Sequence, residues 1–300
     1  MIRVAGAPVS FGVFELRPDE GVELTGPDEM CAILQQEGYT GIDLGPVGFL
    51  GRAGELRGRL RSHQLELAGG WIDLPFSEPE AFEAHLKNLD AILDVFVEAA
   101  EAGPELLPLP TLACSGTAIR QAHPGGGPEF ALTDEQWGPF ADNVTRAAER
   151  VRSRGLEPTF HHHACTYVET PAEIDEFLSR TDVGLTFDTG HLILGGGDPL
   201  TGWRRWADRI NHLHLKDAKV AVLDAVVKDR GDMRAVWAGR AFVPFGDGDL
   251  DLAGFMDEVT ASQFSGWLVV EQDTIPQAED DSSRIQADHH TNREALKKWL

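Results

Sequence analysis

The chain has 300 residues, 42% hydrophobic and 25% charged, a balance that sets it apart from disordered, collagenous and membrane-embedded classes. Its formal net charge of −23 offers no basic surface for phosphates, which argues against a nucleic-acid partner. Cys31, Cys114 and Cys165 are scattered and odd in number, which suits a reducing cytoplasm; the start MIRVAGAPVSFG does not read as a signal peptide, and no apolar run reaches a membrane span.

Along the chain, short apolar runs alternate with longer amphipathic segments. Eight runs read as buried parallel strands: 3–9, 41–44, 65–72, 105–112, 157–163, 183–188, 210–215 and 267–272. Between the third and fourth, Phe82, Leu86, Leu89, Leu93 and Phe96 keep helical spacing, predicting one helix over 80–102 with Ser77 and Gly103 as caps. Thr133 with Gln136 predicts a capping box ahead of a helix ending at Gly155, and Thr170, Pro171 and Glu173 predict another. Asp198-Pro199 opens a further helix, and 251–262 and 293–300 supply the last two. Strands each followed by a helix, with no linker, predict a single (β/α)8 barrel over residues 1–300. The glycines at 125–127 and 195–197 lack the spacing of a phosphate-binding fingerprint and read as loop residues.

Alternate strand residues face the barrel interior, and catalytic groups sit at the carboxyl ends of the strands. Strand 5 ends in FHHHACTYVET, where His161 and His163 share a face and His162 points to the helix layer. Strand 6 ends at Asp188, with His191 three residues on. Strand 7 ends with His212, His214 and Lys216 on one face, and strand 8 with Glu271 and Asp273. Any one of these alone reads as a core or capping residue. Four consecutive strands ending in His, Asp, His and Glu read as a metal site, whose mixed nitrogen and oxygen donors suit Mn²⁺, Co²⁺, Zn²⁺ or Fe²⁺ better than Ca²⁺ or Mg²⁺. His63, His85, His123, His289 and His290 read as surface residues, and Phe11, Phe14 and Trp71 as packing, with strand-end aromatics also able to line a pocket.

On these residues the chain resembles the xylose isomerase-like TIM barrels of sugar isomerases and epimerases, and within them the inosose (2-keto-myo-inositol) dehydratases. The resembling stretches are GAPVSFGVFEL, GYTGIDLGPVGFLG, FHHHACTYVET, FDTGHLILGGGDP, RINHLHLKD and SGWLVVEQD, in family order across nearly the whole chain. The resemblance implies one divalent metal, Mn²⁺, Co²⁺ or Zn²⁺, on Asp188, His214, Glu271 and a strand 5 residue. The family's strand 5 Glu falls on His161, with His163 and Glu169 as alternatives. It also implies that His191 contacts substrate, and that Asp43 stands where these dehydratases usually carry Glu.

Eliminating water beside a ketone needs a Lewis acid at the carbonyl, a base for the α-proton and an acid for the departing hydroxyl. His163, Glu169, His191 and Lys216 are the candidates for the last two roles, and Asp43, Trp71, His191 and Lys216 for substrate contact. The expectation is a cytoplasmic enzyme of carbohydrate metabolism, in inositol catabolism. It would act on a small keto-polyol or sugar, with a homo-oligomer open and keto-sugar isomerisation or epimerisation as the alternative.

Overall fold

The computed structural model describes residues 1–14, 24–52, 54–277 and 282–300; the last two residues of the GAPVSFGVFEL stretch, Glu15 and Leu16, lie outside them. The strands are β1 (Ile2–Gly6), β2 (Gly41–Ile42), β3 (Glu66–Leu67, resuming as Gly69–Leu74), β4 (Leu109–Cys114), β5 (Thr159–His161), β6 (Gly184–Asp188), β7 (Ile210–Leu215) and β8 (Gly266–Val270). All pairs are parallel, and β8 pairs with both β1 and β7. The first part of β3 pairs with β2 and the second with β4, so the sheet closes through the interruption at Ala68. This is the expected (β/α)8 barrel. A parallel sheet covered by helices is buried on both faces, and β8 (GWLVV) is buried at every position.

The sequence-predicted caps form where the side chains can reach. Thr133 and Gln136 make a reciprocal capping box on the helix Asp134–Ser153, Thr170 and Glu173 make one on Pro171–Arg180, and Asp198 caps Pro199–Trp206. The helix expected over 80–102 is instead two, Pro79–Leu86 and Leu89–Glu101, and Glu78 rather than Ser77 precedes the first. The apolar stripe runs unbroken through the join. The break falls at Asn88, whose side-chain amide donates to Ala84 O and competes with helical pairing. The last helix spans Ser282–Leu296 rather than 293–300. Its buried stripe is Ile285, His289, Asn292 and Leu296, half of it polar, and so invisible to an apolar pattern.

One excursion breaks the simple alternation. After β7 a short antiparallel ribbon pairs Asp217–Ala218 with Phe242–Val243 around the helices Val220–Lys228 and Met233–Ala238. Asp217 holds it down, its two carboxylate oxygens accepting the backbone N–H groups of Ala218, Gly246, Gly248 and Leu250 at 2.9–3.1 Å. Gly248 is required there, because a Cβ would lie 2.1 Å from Asp217 Oδ1. This brings Trp237 to the mouth of the barrel.

Candidate metal centre and active site

The carboxyl ends of β5 to β8 bring four donor atoms together. His161 Nε2 lies 3.2 Å from Asp188 Oδ2, which lies 3.8 Å from His214 Nδ1, which lies 2.9 Å from Glu271 Oε2. Metal bonds of about 2.0–2.2 Å separate neighbouring ligand atoms by about 3–3.5 Å, so the His161, Asp188 and His214 spacings suit one ion, with Glu271 adjoining the group through His214. His161, Asp188 and His214 converge closely enough to hold a metal ion, and His214 Nδ1, though 2.9 Å from Glu271, makes no well-directed hydrogen bond. A buried nitrogen left without a proper partner beside two carboxylates is what a ligand set looks like.

Local structure explains how Asp188 is presented. Its Oδ1 caps the helix Thr189–Leu194 by accepting the His191 N–H at 2.8 Å, which leaves Oδ2 for the site. Its own N–H donates to His162 Nε2 at 3.1 Å. The middle histidine of the run therefore steadies a ligand without entering the cavity. Asp43 Oδ2 faces His214 Nε2 at 3.7 Å, on the side of the ring away from the donor cluster.

Lys216 supplies the positive charge. Its Nζ lies 2.7 Å from Asp273 Oδ1, 2.9 Å from Glu271 Oε2, 3.2 Å from Asp188 Oδ2 and 3.0 Å from His191 Nε2. Burial opposes the ammonium, but Asp188, Asp273 and Glu271 outweigh it and raise its pKa. Burial pushes Asp188 up to about 6 and Asp43 up to about 7, against the pull of His214 and Lys216. Glu271 is also buried, yet His214 and Lys216 hold it down at about 2. Burial and neighbouring cations keep His161, His163 and His191 neutral, the form that binds metal and accepts protons.

A cavity of about 570 Å³ opens above these groups. His161, His214 and Glu271 line it, as do Asp43, Trp71, His163 and Lys216. Trp71 stands edge-on to His161 and His163, with ring centroids 5.4 and 5.0 Å away. Phe14 also lines the cavity, whereas Phe11 is packed against His289. His163 Nδ1–H donates to Ala164 O at 2.8 Å, which leaves its Nε2 with the free lone pair.

Two expected residues lie elsewhere. His191 is fully buried behind the wall, its ring centroid 3.7 Å from that of His163 and its Nε2 accepting from Lys216. Glu169, expected as a proton-transfer group or ligand, is turned away from the cavity because the Arg120 guanidinium and the Cys165 N–H claim Oε2 at 3.0 Å each. His289, expected at the surface, is 2% exposed. The cavity also has a polar wall to which sequence reasoning gave no role: Asp73, Ser115, Gln121 and Thr166, with Asp273, which it had placed only on the inward face of strand 8. Asp73 and Asp273 carried a signal, since each follows an assigned residue, Trp71 or Glu271, by two positions. Ser115 and Thr166 sit on loops, and Gln121 ends the one-turn helix Ala118–Gln121, too short for a periodic signal.

A sequence profile described as xylose isomerase-like TIM barrel matches residues 31–292. An inosose dehydratase of Geobacillus kaustophilus is 32% identical over 282 residues, covering 91% of this chain and 88% of the relative. The rhizopine catabolism protein MocC of Rhizobium meliloti is 35% identical over 267 residues, covering 86% and 79%. In fold, the probable 3-DHS dehydratase AsbF of Bacillus anthracis superposes with a TM-score of 0.72 over 98% of both chains, at 14% identity. The chain belongs to the xylose isomerase-like TIM barrel family.

Proposed function

We propose that the protein is a metal-dependent hydro-lyase that removes water from a cyclic keto-polyol, an inosose, as its inosose dehydratase relatives are named for doing. The observation that carries this is the convergence of His161, Asp188 and His214, with Glu271 beside His214, at a cavity lined by His161, His163, His214, Lys216 and Glu271. His161, Asp188, His214 and Glu271 would hold one divalent ion, Mn²⁺, Co²⁺ or Zn²⁺, matching the excess of carboxylate over ammonium charge. When bound, the ion supplies Lewis acidity at the ketone oxygen.

The chain's own residues supply the proton chemistry. His163 Nε2, neutral and unprotonated, faces the cavity and takes the α-proton. Lys216 Nζ, an ammonium held by three carboxylates, stabilises charge growing on the substrate oxygens and protonates the departing hydroxyl. His191 and Asp273 fix that ammonium, and Trp71 packs against the two cavity histidines. Asp43 and the wall of Asp73, Ser115, Gln121 and Thr166 offer acceptors and donors to ring hydroxyls. The net change is loss of one proton and one hydroxide from adjacent carbons.

The family's sugar epimerases define the other outcome. Metal-loaded protein is incubated with inososes in D₂O and followed by NMR. Loss of water with a new ultraviolet-absorbing enol is expected. Exchange or inversion at the α-carbon with no water lost would replace this reading with epimerisation.

A further inference from the structure

Behind the cavity wall sits a second buried charged cluster. Arg120 and Glu169 are fully buried and Glu173 is 7% exposed. Arg120 Nη1 lies 3.0 Å from Glu173 Oε1, and Nη2 lies 3.1 Å from Glu173 Oε2 and 3.0 Å from Glu169 Oε2. Glu169 Oε2 also accepts the N–H of Cys165, and Glu173 Oε2 those of Glu169 and Thr170, all within 3.0 Å.

These bonds end on two loops that line the cavity. One runs from β5 to the helix Pro171–Arg180 and carries His163, Ala164 and Thr166. Cys165 holds φ at +64°, a conformation costing a side-chain-bearing residue about 1 kcal/mol, and Glu169 is the acceptor that fixes it there. In the same loop the His163 N–H donates to Val168 O at 3.0 Å, and Ala164 O, one residue before Cys165, selects the His163 tautomer. The other loop carries Ser115, Gly116 and Gln121, the residue after Arg120. The loops touch at Gly116, where a Cβ would stand 3.2 Å from Cys165 O. A buried ion cluster is a weak source of stability, since well-packed apolar groups often serve as well. What forked guanidinium–carboxylate bonds supply is fixed geometry.

We propose that Arg120, Glu169 and Glu173 are positioning residues that clamp these two loops together and hold His163 in its Nδ1–H tautomer, with Nε2 aimed into the cavity. The proposal rests on the reading in which His163 moves the proton.

The test is long-range proton–nitrogen NMR on protein labelled with ¹⁵N-histidine, alongside dehydration kinetics. Wild type is expected to show His163 as one neutral Nδ1–H tautomer. Glu169→Met removes the acceptor for Cys165 while leaving Arg120 paired with Glu173. It is expected to average or broaden the His163 signals and lower kcat about 10- to 100-fold, with KM within about threefold and metal content unchanged. Glu169→Gln keeps a carbonyl acceptor and is expected to restore both readouts to within about threefold. Wild-type spectra and turnover in Glu169→Met, or equal loss in Glu169→Gln, overturn the clamp. Should Glu169→Met not fold, Arg120→Lys, which keeps the charge and loses the fork, decides it by the same readouts. If the wild-type protein dehydrates no inosose, the functional reading fails, and the His163 spectra still decide the clamp.

Discussion

The barrel buries two cations among carboxylates, and the two clusters are built to different ends. Arg120 meets Glu169 and Glu173 with a fork, and backbone N–H groups of three residues take up further carboxylate valence. Lys216 is a point charge facing Asp188, Glu271 and Asp273, and beside it His214 Nδ1 lacks a well-directed partner. Among the described residues, the first cluster leaves Arg120 Nε and Glu169 Oε1 without a partner, but none of its three side chains lines the cavity. The second opens on a cavity with donor capacity left over. The lesson is that burial and charge alone do not mark a reactive site; unspent donors facing a cavity do.

The strongest way to break this contrast is Asp188→Asn. Losing a ligand oxygen and its charge is expected to lower metal affinity and turnover by about 10³-fold or more, read by elemental analysis and dehydration rate. Asparagine still caps the helix that Asp188 starts, so the melting temperature of the metal-stripped variant is expected to stay within about 3 °C of wild type. A large drop in that temperature would mean that the cluster serves the fold. Next in size is Lys216→Met. It keeps the stem and removes the ammonium, so turnover is expected to fall about 10²–10³-fold while metal content holds. Loss of metal would show that Lys216 organises the ligands rather than the reaction.

The reciprocal change is Arg120→Met. It strands two buried carboxylates, a cost of about 3–5 kcal/mol. The melting temperature is expected to fall by roughly 5–15 °C, read by calorimetry on metal-stripped protein. An unchanged melting temperature would erase the distinction between the clusters.

How much of this the sequence carried follows from range. The inward-facing candidates were legible because strands alternate faces, so His161, His163, His214, Lys216, Glu271 and Asp273 could be sorted before any contact was known. The barrel was legible for the same reason, through apolar runs and caps such as Thr133–Gln136. What stayed hidden depends on loops and long-range pairing. Glu169 meets Arg120 across 49 residues, and no local pattern links them. His191 lies three residues past Asp188 as expected, but the path of the short helix Thr189–Leu194 puts its ring behind Lys216 and His163. The ribbon after β7 was not assigned from the sequence, and its folding brings Trp237 to the cavity.

A third buried group, His289, sharpens the contrast by having neither the metal cluster nor the ion pairs. Its Nδ1 lies 3.2 Å from Tyr39 Oη, and its ring stacks on Phe11 with centroids 4.7 Å apart. Burial lowers its pKa to about 4, against about 6.5 for an unfolded histidine. Protonation therefore favours the unfolded chain. The neutral ring's contribution is fully present above about pH 6.5 and is lost as pH falls toward 4. Between pH 7 and pH 4.5 that loss amounts to about 2–3 kcal/mol. His161, held low by burial, also titrates against stability, whereas His214, raised against the pull of burial by Glu271, titrates with it, so the readout is a difference. Urea unfolding of chelator-treated wild type and His289→Gln is followed across this range. The variant is expected to start less stable at pH 7, where a stacked ring is lost, and to lose about 2–3 kcal/mol less on acidification. Parallel pH profiles for the two proteins would place the acid sensitivity of the fold outside the aromatic pocket.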